Sequence, residues 1–154
     1  MKFILFIDDD RRFMTPFCEA IDDRLGRAGY KVTFFSDVDS ALDFAQKYAS
    51  NVALVIWDMM MPPGEAFSAA DTNKGLRTGR ALHAMLRSFL PVVPMILFTN
   101  VPYDDVHREY RSEPLDSAWR KEDLLPDELA DKVAEILSPA SAQSGTSDGK
   151  LTTT

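Results

Sequence analysis

The chain has 154 residues, and its formal net charge of −7 at pH 7 argues against nucleic acid or an anionic membrane as the main partner. A single cysteine, Cys18, excludes an intrachain disulfide, and no apolar run approaches the roughly 20 residues that span a membrane. We therefore expect a cytoplasmic globular protein with a hydrophobic core of its own.

Short apolar runs recur along the chain and predict buried strands. Three of them are almost uninterrupted, which is typical of strands in a parallel sheet covered by helices on both faces. Another is rich in β-branched and aromatic residues, and the last is weaker. In chain order, the predicted strands are "FILFI" (3–7), "YKVTFF" (30–35), "VALVIW" (52–57), "MILF" (95–98) and "LDSAW" (115–119).

Helical periodicity fills the gaps between these runs. The first helix has apolar residues at intervals of three and four over 13–25, with Thr15–Pro16 as its predicted cap and first turn. The second begins like a capping box, because Ser36 stands three residues before Asp39. The remaining helices are expected around 81–89, 103–111 and 129–137.

This strict alternation indicates an α/β protein of the (βα)5 type. Right-handed crossovers would join the strands into a doubly wound, five-stranded parallel sheet. The predicted domain covers 1–137. Residues 138–154 are rich in Ser, Thr and Gly with little to bury, so we expect a disordered tail or a truncated linker there.

Acidic side chains gather where the predicted strands end. Asp8, Asp9 and Asp10 follow strand 1, and Asp58 follows strand 3. In an open parallel sheet, ligands bind outside the carboxyl ends of the strands. Because clustered carboxylates repel one another unless a cation balances them, this edge predicts a site for a hard divalent ion, Mg²⁺.

Two further polar residues belong to the same edge. Thr99 follows strand 4 and Lys121 follows the predicted strand 5. A metal ion, a hydroxyl and a lysine could together hold a phosphoryl group while one carboxylate attacks it in line, which would give an aspartyl phosphate.

Taken in chain order, these strand-end residues resemble those of the receiver domain of two-component response regulators. The likeness rests on "FILFIDDD", "VIWDMMMP", "MILFTN" and Lys121, and it extends over nearly all of 1–137. It implies a flavodoxin-like strand order of 2-1-3-4-5 and a signalling phosphoacceptor rather than an enzyme. The implied partners are a sensor histidine kinase or histidine phosphotransfer protein and an unidentified downstream protein, with no nucleic acid bound through this domain and no membrane insertion.

The resemblance also implies a role for each residue around the metal. Asp58 would accept the phosphoryl group. Asp9 would bind Mg²⁺ directly and Asp8 through water, while Met60 would offer its backbone carbonyl.

The resemblance also implies that two other residues respond when the phosphoryl group is bound. Thr99 would follow the phosphoryl group and rearrange the surface formed by strand 4, helix 4 and strand 5. Lys121 would pair with the phosphoryl oxygens. Met60 and Val101 occupy the two positions that tune dephosphorylation in the family, and neither side chain can orient a water molecule, which predicts a long-lived phosphoryl group.

One departure from the family pattern is an insertion. The family has a glycine about eight residues after the phosphoacceptor, and here the matching residue is Gly79. Residues 63–78 therefore hold roughly a dozen extra residues on the rim of the site. They could form a lid or docking loop, or a tolerated surface insertion.

A second departure concerns the lysine and its neighbours. Glu122 follows Lys121 where the family has proline, so a register slip would put Arg120 in the site instead. Alternation along a strand favours Lys121. The family's aromatic switch position holds Ala118, and Trp119 lies one place away.

Two other functions fit parts of the pattern. Asp8 and Asp10 can be read as the nucleophile and acid/base of a haloacid-dehalogenase-like, Mg²⁺-dependent phosphatase, but this leaves Asp58 and its Met-Pro pair unexplained. A degenerate receiver would bind partners without phosphorylation, and the intact acidic set argues against it.

Overall fold

The structure, a computed structural model, describes residues 1–110 and 117–138. Strands and helices alternate strictly along this part of the chain. The strands are β1 (Lys2–Ile7), β2 (Tyr30–Phe35), β3 (Val52–Trp57), β4 (Met95–Thr99) and β5 (Ser117–Arg120). The helices are α1 (Arg11–Leu25), α2 (Val38–Lys47), α3 (Thr78–Phe89), α4 (Tyr103–Glu109) and α5 (Pro126–Leu137).

All five strands are parallel and lie in the order β2-β1-β3-β4-β5, which confirms the predicted fold. The register pairs Ile7 of β1 with Trp57 of β3. At the other side of the sheet, Thr99 of β4 pairs with Arg120 of β5. The residues that follow β1 and β3 therefore begin side by side at one edge of the sheet.

Helices cover both faces of the sheet. Alternation along β3 sends Leu54 and Ile56 towards α1 and α5, and sends Val55 and Trp57 towards α2, α3 and α4. These side chains are fully buried. The near-continuous apolar strands of the sequence are thus explained by burial on both faces.

The first helix begins earlier than Thr15–Pro16, so that prediction is wrong. Asp10 is the N-cap, and its carboxylate accepts a hydrogen bond from the Phe13 N–H at 3.1 Å. Pro16 lies inside α1, and the Thr15 hydroxyl donates to the Arg11 carbonyl at 2.8 Å. An Asp cap directly after the strand starts the helix at once, and the missing N–H of one proline does not end it.

The capping-box start of the second helix is also displaced by one residue. Asp37, not Ser36, is the N-cap of α2 and accepts from the Ser40 N–H at 2.7 Å. Asp39, the partner expected for Ser36, instead accepts hydrogen bonds from the Glu65 and Ala66 N–H groups.

The last predicted strand and the tail lie partly outside the described residues. The strand expected at 115–119 is seen from Ser117 to Arg120. Ser138 is the C-cap of α5, and the remainder of the predicted tail is outside the described ranges. No helix in the described part of the chain is long and apolar enough to cross a membrane.

Candidate functional site

The acidic run after β1 divides into residues with different surroundings. Asp8 is only 1% exposed, and its Oδ1 accepts a hydrogen bond from the Asp10 N–H at 2.8 Å. Asp9 is exposed. Asp10 is exposed too, with its carboxylate capping α1. The phosphatase interpretation needs Asp10 as an acid/base, whereas here its carboxylate serves the helix.

Asp58 meets this cluster from the end of β3. It is 5% exposed, and its N–H donates to the Ile7 carbonyl at 3.1 Å, which joins the ends of the two central strands. One carboxylate oxygen from each of Asp8, Asp9 and Asp58 lies within 4.8 Å of the others. Three hard oxygen donors at this spacing fit Mg²⁺.

Lys121 provides the positive charge at the site. Its Nζ lies 2.7 Å from Asp8 Oδ2 and 3.0 Å from Asp58 Oδ2, and the side chain is buried. Arg120 instead forms an ion pair with Glu122 at 2.6 Å. Of the two basic residues considered for this site, the structure brings Lys121 to the carboxylates.

Burial and paired charges act against each other on the pKa values of Asp8 and Lys121. Burial raises the pKa of Asp8 to about 6, although the hydrogen bond and charge of Lys121 work to lower it. Burial also acts to lower the pKa of Lys121, but the Asp58 and Asp8 carboxylates outweigh it and raise that pKa above 10.5. The lysine therefore remains charged between its two carboxylates.

Thr99 stands at the end of β4 and is buried. Its Oγ1 accepts a hydrogen bond from the Val101 N–H at 3.3 Å. The hydroxyl thus connects the end of this strand to the loop that enters α4.

The backbone after β3 is held tightly against the start of α3. A Cβ at Gly79 would overlap the Asp58 carbonyl oxygen and the Met59 Cα. The Gly79 N–H donates to the Met59 carbonyl at 2.8 Å, and its own carbonyl accepts from Trp57 Nε1 at 3.0 Å. Only glycine permits this approach, and Gly79, the glycine matched to the family pattern, lies in the first turn of α3.

The 63–78 segment folds back on itself beside the site. Met61, two residues before the segment, holds the returning chain: its N–H donates to the Gly75 carbonyl at 3.1 Å. The Thr78 hydroxyl donates to the Met61 carbonyl. The segment up to α3 contains turns, with Thr72 fully buried.

Asp39 anchors this segment to α2, a role that sequence reasoning missed. Its two carboxylate oxygens accept from the Glu65 and Ala66 N–H groups, each at 2.9 Å. The sequence signal was present but ambiguous, since an Asp in a first helical turn also fits a capping role.

The residues around the family's aromatic switch position lie on opposite faces of β5. Ala118 packs on the face of α2, α3 and α4, and Trp119 packs on the other face. Lys132 lies 4.0 Å from the centre of the Trp119 ring. Trp119 therefore lies on the opposite face of the sheet from Ala118, the residue at the switch position.

Solved structures share this architecture. No family model and no curated protein matches the sequence. The chemotaxis response regulator CheY4 of Vibrio cholerae is 22% identical, with a TM-score of 0.62 over 89% of this chain and 99% of that one. A CheY-like receiver domain protein from Methanospirillum hungatei JF-1 is 19% identical, with a TM-score of 0.63 over 89% and 94%. Response regulator DrrB from Thermotoga maritima is 21% identical, with a TM-score of 0.63 over 89% of this chain and 52% of that one.

The likeness establishes the fold. The chain has the five-stranded α/β fold of CheY-like response regulator receiver domains, with the acidic cluster at the carboxyl edge of its sheet.

Proposed function

We propose that the chain is a phosphoacceptor in two-component signalling, with Asp58 as the residue that receives the phosphoryl group. The observation that carries this is the position of the Lys121 ammonium between Asp8 and Asp58. Asp8 can help to hold a metal ion while an oxygen of Asp58 reacts beside this positive charge.

The proposed donor is a phosphohistidine on a histidine kinase or phosphotransfer protein. An Asp58 oxygen attacks phosphorus in line, the P–N bond breaks, and the leaving imidazole nitrogen takes up a proton. Asp8, Asp9, Asp58 and the Met60 backbone carbonyl would hold Mg²⁺, which would neutralise charge on the phosphoryl oxygens. Lys121 would then move from carboxylate to phosphoryl oxygen, and Thr99 would turn its hydroxyl towards the same group.

The protein would be a signalling protein that assists only its own phosphorylation and dephosphorylation, acting in the cytoplasm where histidine kinases present their phosphohistidine. Its output would be the changed surface of β4, α4 and β5, recognised by a downstream protein.

Acetyl phosphate provides the direct test. Incubated with Mg²⁺ and acetyl phosphate, the protein should gain the mass of one phosphoryl group, stable in acid and labile in base, as an acyl phosphate is. Asp58→Asn should remove this gain, because an amide oxygen is a poor nucleophile. Asp43→Asn, which changes an exposed carboxylate on α2, is the matched control and should phosphorylate normally.

Other results would point to the alternatives. Steady turnover of simple phosphoesters that depends on Asp8 would favour a phosphatase. If the protein binds Mg²⁺ but shows no mass gain and no turnover, that result would favour a binding module that acts without phosphorylation.

Binding of Mg²⁺ should weaken in acid. With the pKa of Asp8 at about 6, this carboxyl is mostly protonated at pH 5, and the metal must displace the proton. We expect the apparent affinity to fall about tenfold between pH 7 and pH 5. Titration followed by Trp57 fluorescence, in a Trp119→Phe background, measures this. Equal affinities at the two pH values would contradict it.

Once formed, the phosphoryl group should persist for minutes or longer without a phosphatase. Met60 and Val101 line one cavity of about 250 Å³ beside the site, and neither side chain can hydrogen-bond an attacking water. Met60→Gln should shorten the lifetime several-fold by supplying such a group, whereas Met85→Gln, at an exposed position on α3, should not. Loss from the unaltered protein within seconds, followed by intact mass, would show this to be wrong.

A further inference from the structure

One tyrosine joins the two elements that carry Thr99 and Lys121. The Tyr103 hydroxyl, at the start of α4, accepts a hydrogen bond from the Arg120 N–H at 3.2 Å. The same hydroxyl donates to Asp123 Oδ2 at 2.9 Å. Its two partners therefore stand on either side of Lys121 in the chain.

The turn that Tyr103 holds is the one that carries the lysine. Lys121–Asp123 forms a single 3-10 turn directly after β5. A hydrogen bond at Arg120 fixes the entry to this turn, and a hydrogen bond at Asp123 fixes its last residue. A movement of the Lys121 backbone, as distinct from its side chain alone, would therefore strain or displace these hydrogen bonds.

Thr99 is connected to the same tyrosine through the loop between β4 and α4. Thr99 and Arg120 are register partners at the ends of β4 and β5. The Thr99 hydroxyl holds the Val101 N–H, two residues before Tyr103. Tyr103 thus lies where the loop from Thr99 and the turn of Lys121 come together.

The hydroxyl is suited to donate in this arrangement. Burial and the hydrogen bond to Asp123 raise the pKa of Tyr103, so the phenol keeps its proton at neutral pH. The position expected for an aromatic switch holds Ala118, which has neither an aromatic ring nor a hydroxyl.

We propose that Tyr103 is the positioning residue that couples α4 to the Lys121 turn, so that α4 responds to occupation of the site through this hydroxyl. The inference rests on the proposed function, since it names how phosphorylation of Asp58 reaches α4. Tyr103 acts through Lys121 and its turn, by the two hydrogen bonds that its hydroxyl makes to Arg120 and Asp123.

The first measurement establishes the contact in solution. Amide hydrogen exchange at Arg120 should accelerate about tenfold or more in Tyr103→Phe, because only the hydroxyl that accepts its hydrogen bond is removed. Tyr48→Phe, at a tyrosine that is 38% exposed against 37% for Tyr103, is the matched control and should leave this amide unchanged. Unchanged exchange in Tyr103→Phe would overturn the inference.

The second measurement tests the coupling with Mg²⁺ and beryllofluoride as the phosphoryl analogue. In the unaltered protein, amide NMR signals of both the 103–106 and the 120–123 segments should shift on saturation. In Tyr103→Phe, the shifts at 120–123 should remain while those at 103–106 fall by at least half. Asp123→Asn keeps an oxygen acceptor and should respond like the unaltered protein, whereas Asp123→Ala should resemble Tyr103→Phe. If Tyr103 had only a structural role, Asp123→Asn and Asp123→Ala would not differ in the amide shifts at 103–106.

The outcomes distinguish the two proposals. If the unaltered protein shows no shift in either segment, phosphorylation at Asp58 is not its function. The proposed coupling through Tyr103, which depends on that function, is then also wrong. If the unaltered protein responds and Tyr103→Phe responds equally at 103–106, the proposed function stands and Tyr103 is not the link.

Discussion

Lys121→Met is expected to abolish phosphorylation of Asp58 and, in EDTA, to lower the free energy of unfolding by about 3 kcal/mol. The substitution removes the ammonium that lies 2.7 Å from Asp8 and 3.0 Å from Asp58, and leaves two buried carboxylates facing each other. One of them must then take up a proton, or both must remain charged and repel. Methionine keeps most of the aliphatic stem, so little of the loss comes from packing.

Mg²⁺ should restore much of the stability lost in this variant. The ion replaces the missing positive charge at the carboxylates, and a ligand that binds only the folded state stabilises it by mass action. Chemical denaturation with EDTA and with excess Mg²⁺ measures both effects, and acetyl phosphate measures the lost reaction. Lys31→Met, at an exposed position on β2, should change neither. Equal denaturation midpoints for Lys121→Met and the unaltered protein in EDTA would refute the electrostatic explanation.

Gly79→Ala should destabilise the fold by about 3 kcal/mol, because the new methyl group has no room. It would overlap the Asp58 carbonyl oxygen and the Met59 Cα, both of which belong to the backbone and cannot rotate away. Either α3 must move from the end of β3, or the backbone that bears Asp58 must shift. We therefore expect weaker Mg²⁺ binding in the fraction that still folds.

Gly26→Ala is the matched control for this substitution. Gly26 has helical backbone angles, with φ at −57°, and a Cβ there would meet nothing within 4 Å. Alanine should be neutral or slightly stabilising at that position, since it restricts the unfolded chain. The urea midpoints of the two variants, compared with the unaltered protein, give the measurement. Similar midpoints for Gly79→Ala and Gly26→Ala would show that the backbone at Asp58 has room to adjust.

The parts of the fold that could be predicted from sequence depend on local chemistry and on the sheet. A strand buried on both faces needs a continuous apolar run, so β1, β3 and β4 were recognisable. The parallel sheet then brings strand ends together, which is why Asp8, Asp58 and Lys121 could be expected near one another before any distance was known.

The features that sequence reasoning missed depend on contacts between distant segments. The Asp39 carboxylate receives N–H groups 26 and 27 residues away, and the Tyr103 hydroxyl meets an N–H 17 residues away. Neither pairing leaves a periodic pattern, because each depends on the path of a loop. The start of α1 was missed for a different reason: two caps were available, and the one nearest the strand prevailed over Thr15–Pro16.

The closed base of the 63–78 segment has a consequence for protein engineering. Since Met61 and Gly75 are already hydrogen-bonded, what lies between them does not set the distance from β3 to α3. Loop length adds to the cost of closure only slowly. The exposed residues 68–71 could thus be replaced by a foreign peptide or a fluorescent reporter domain, with Glu65, Ala66 and the buried Thr72 retained, which would turn the rim of the site into an insertion point for a phosphorylation sensor.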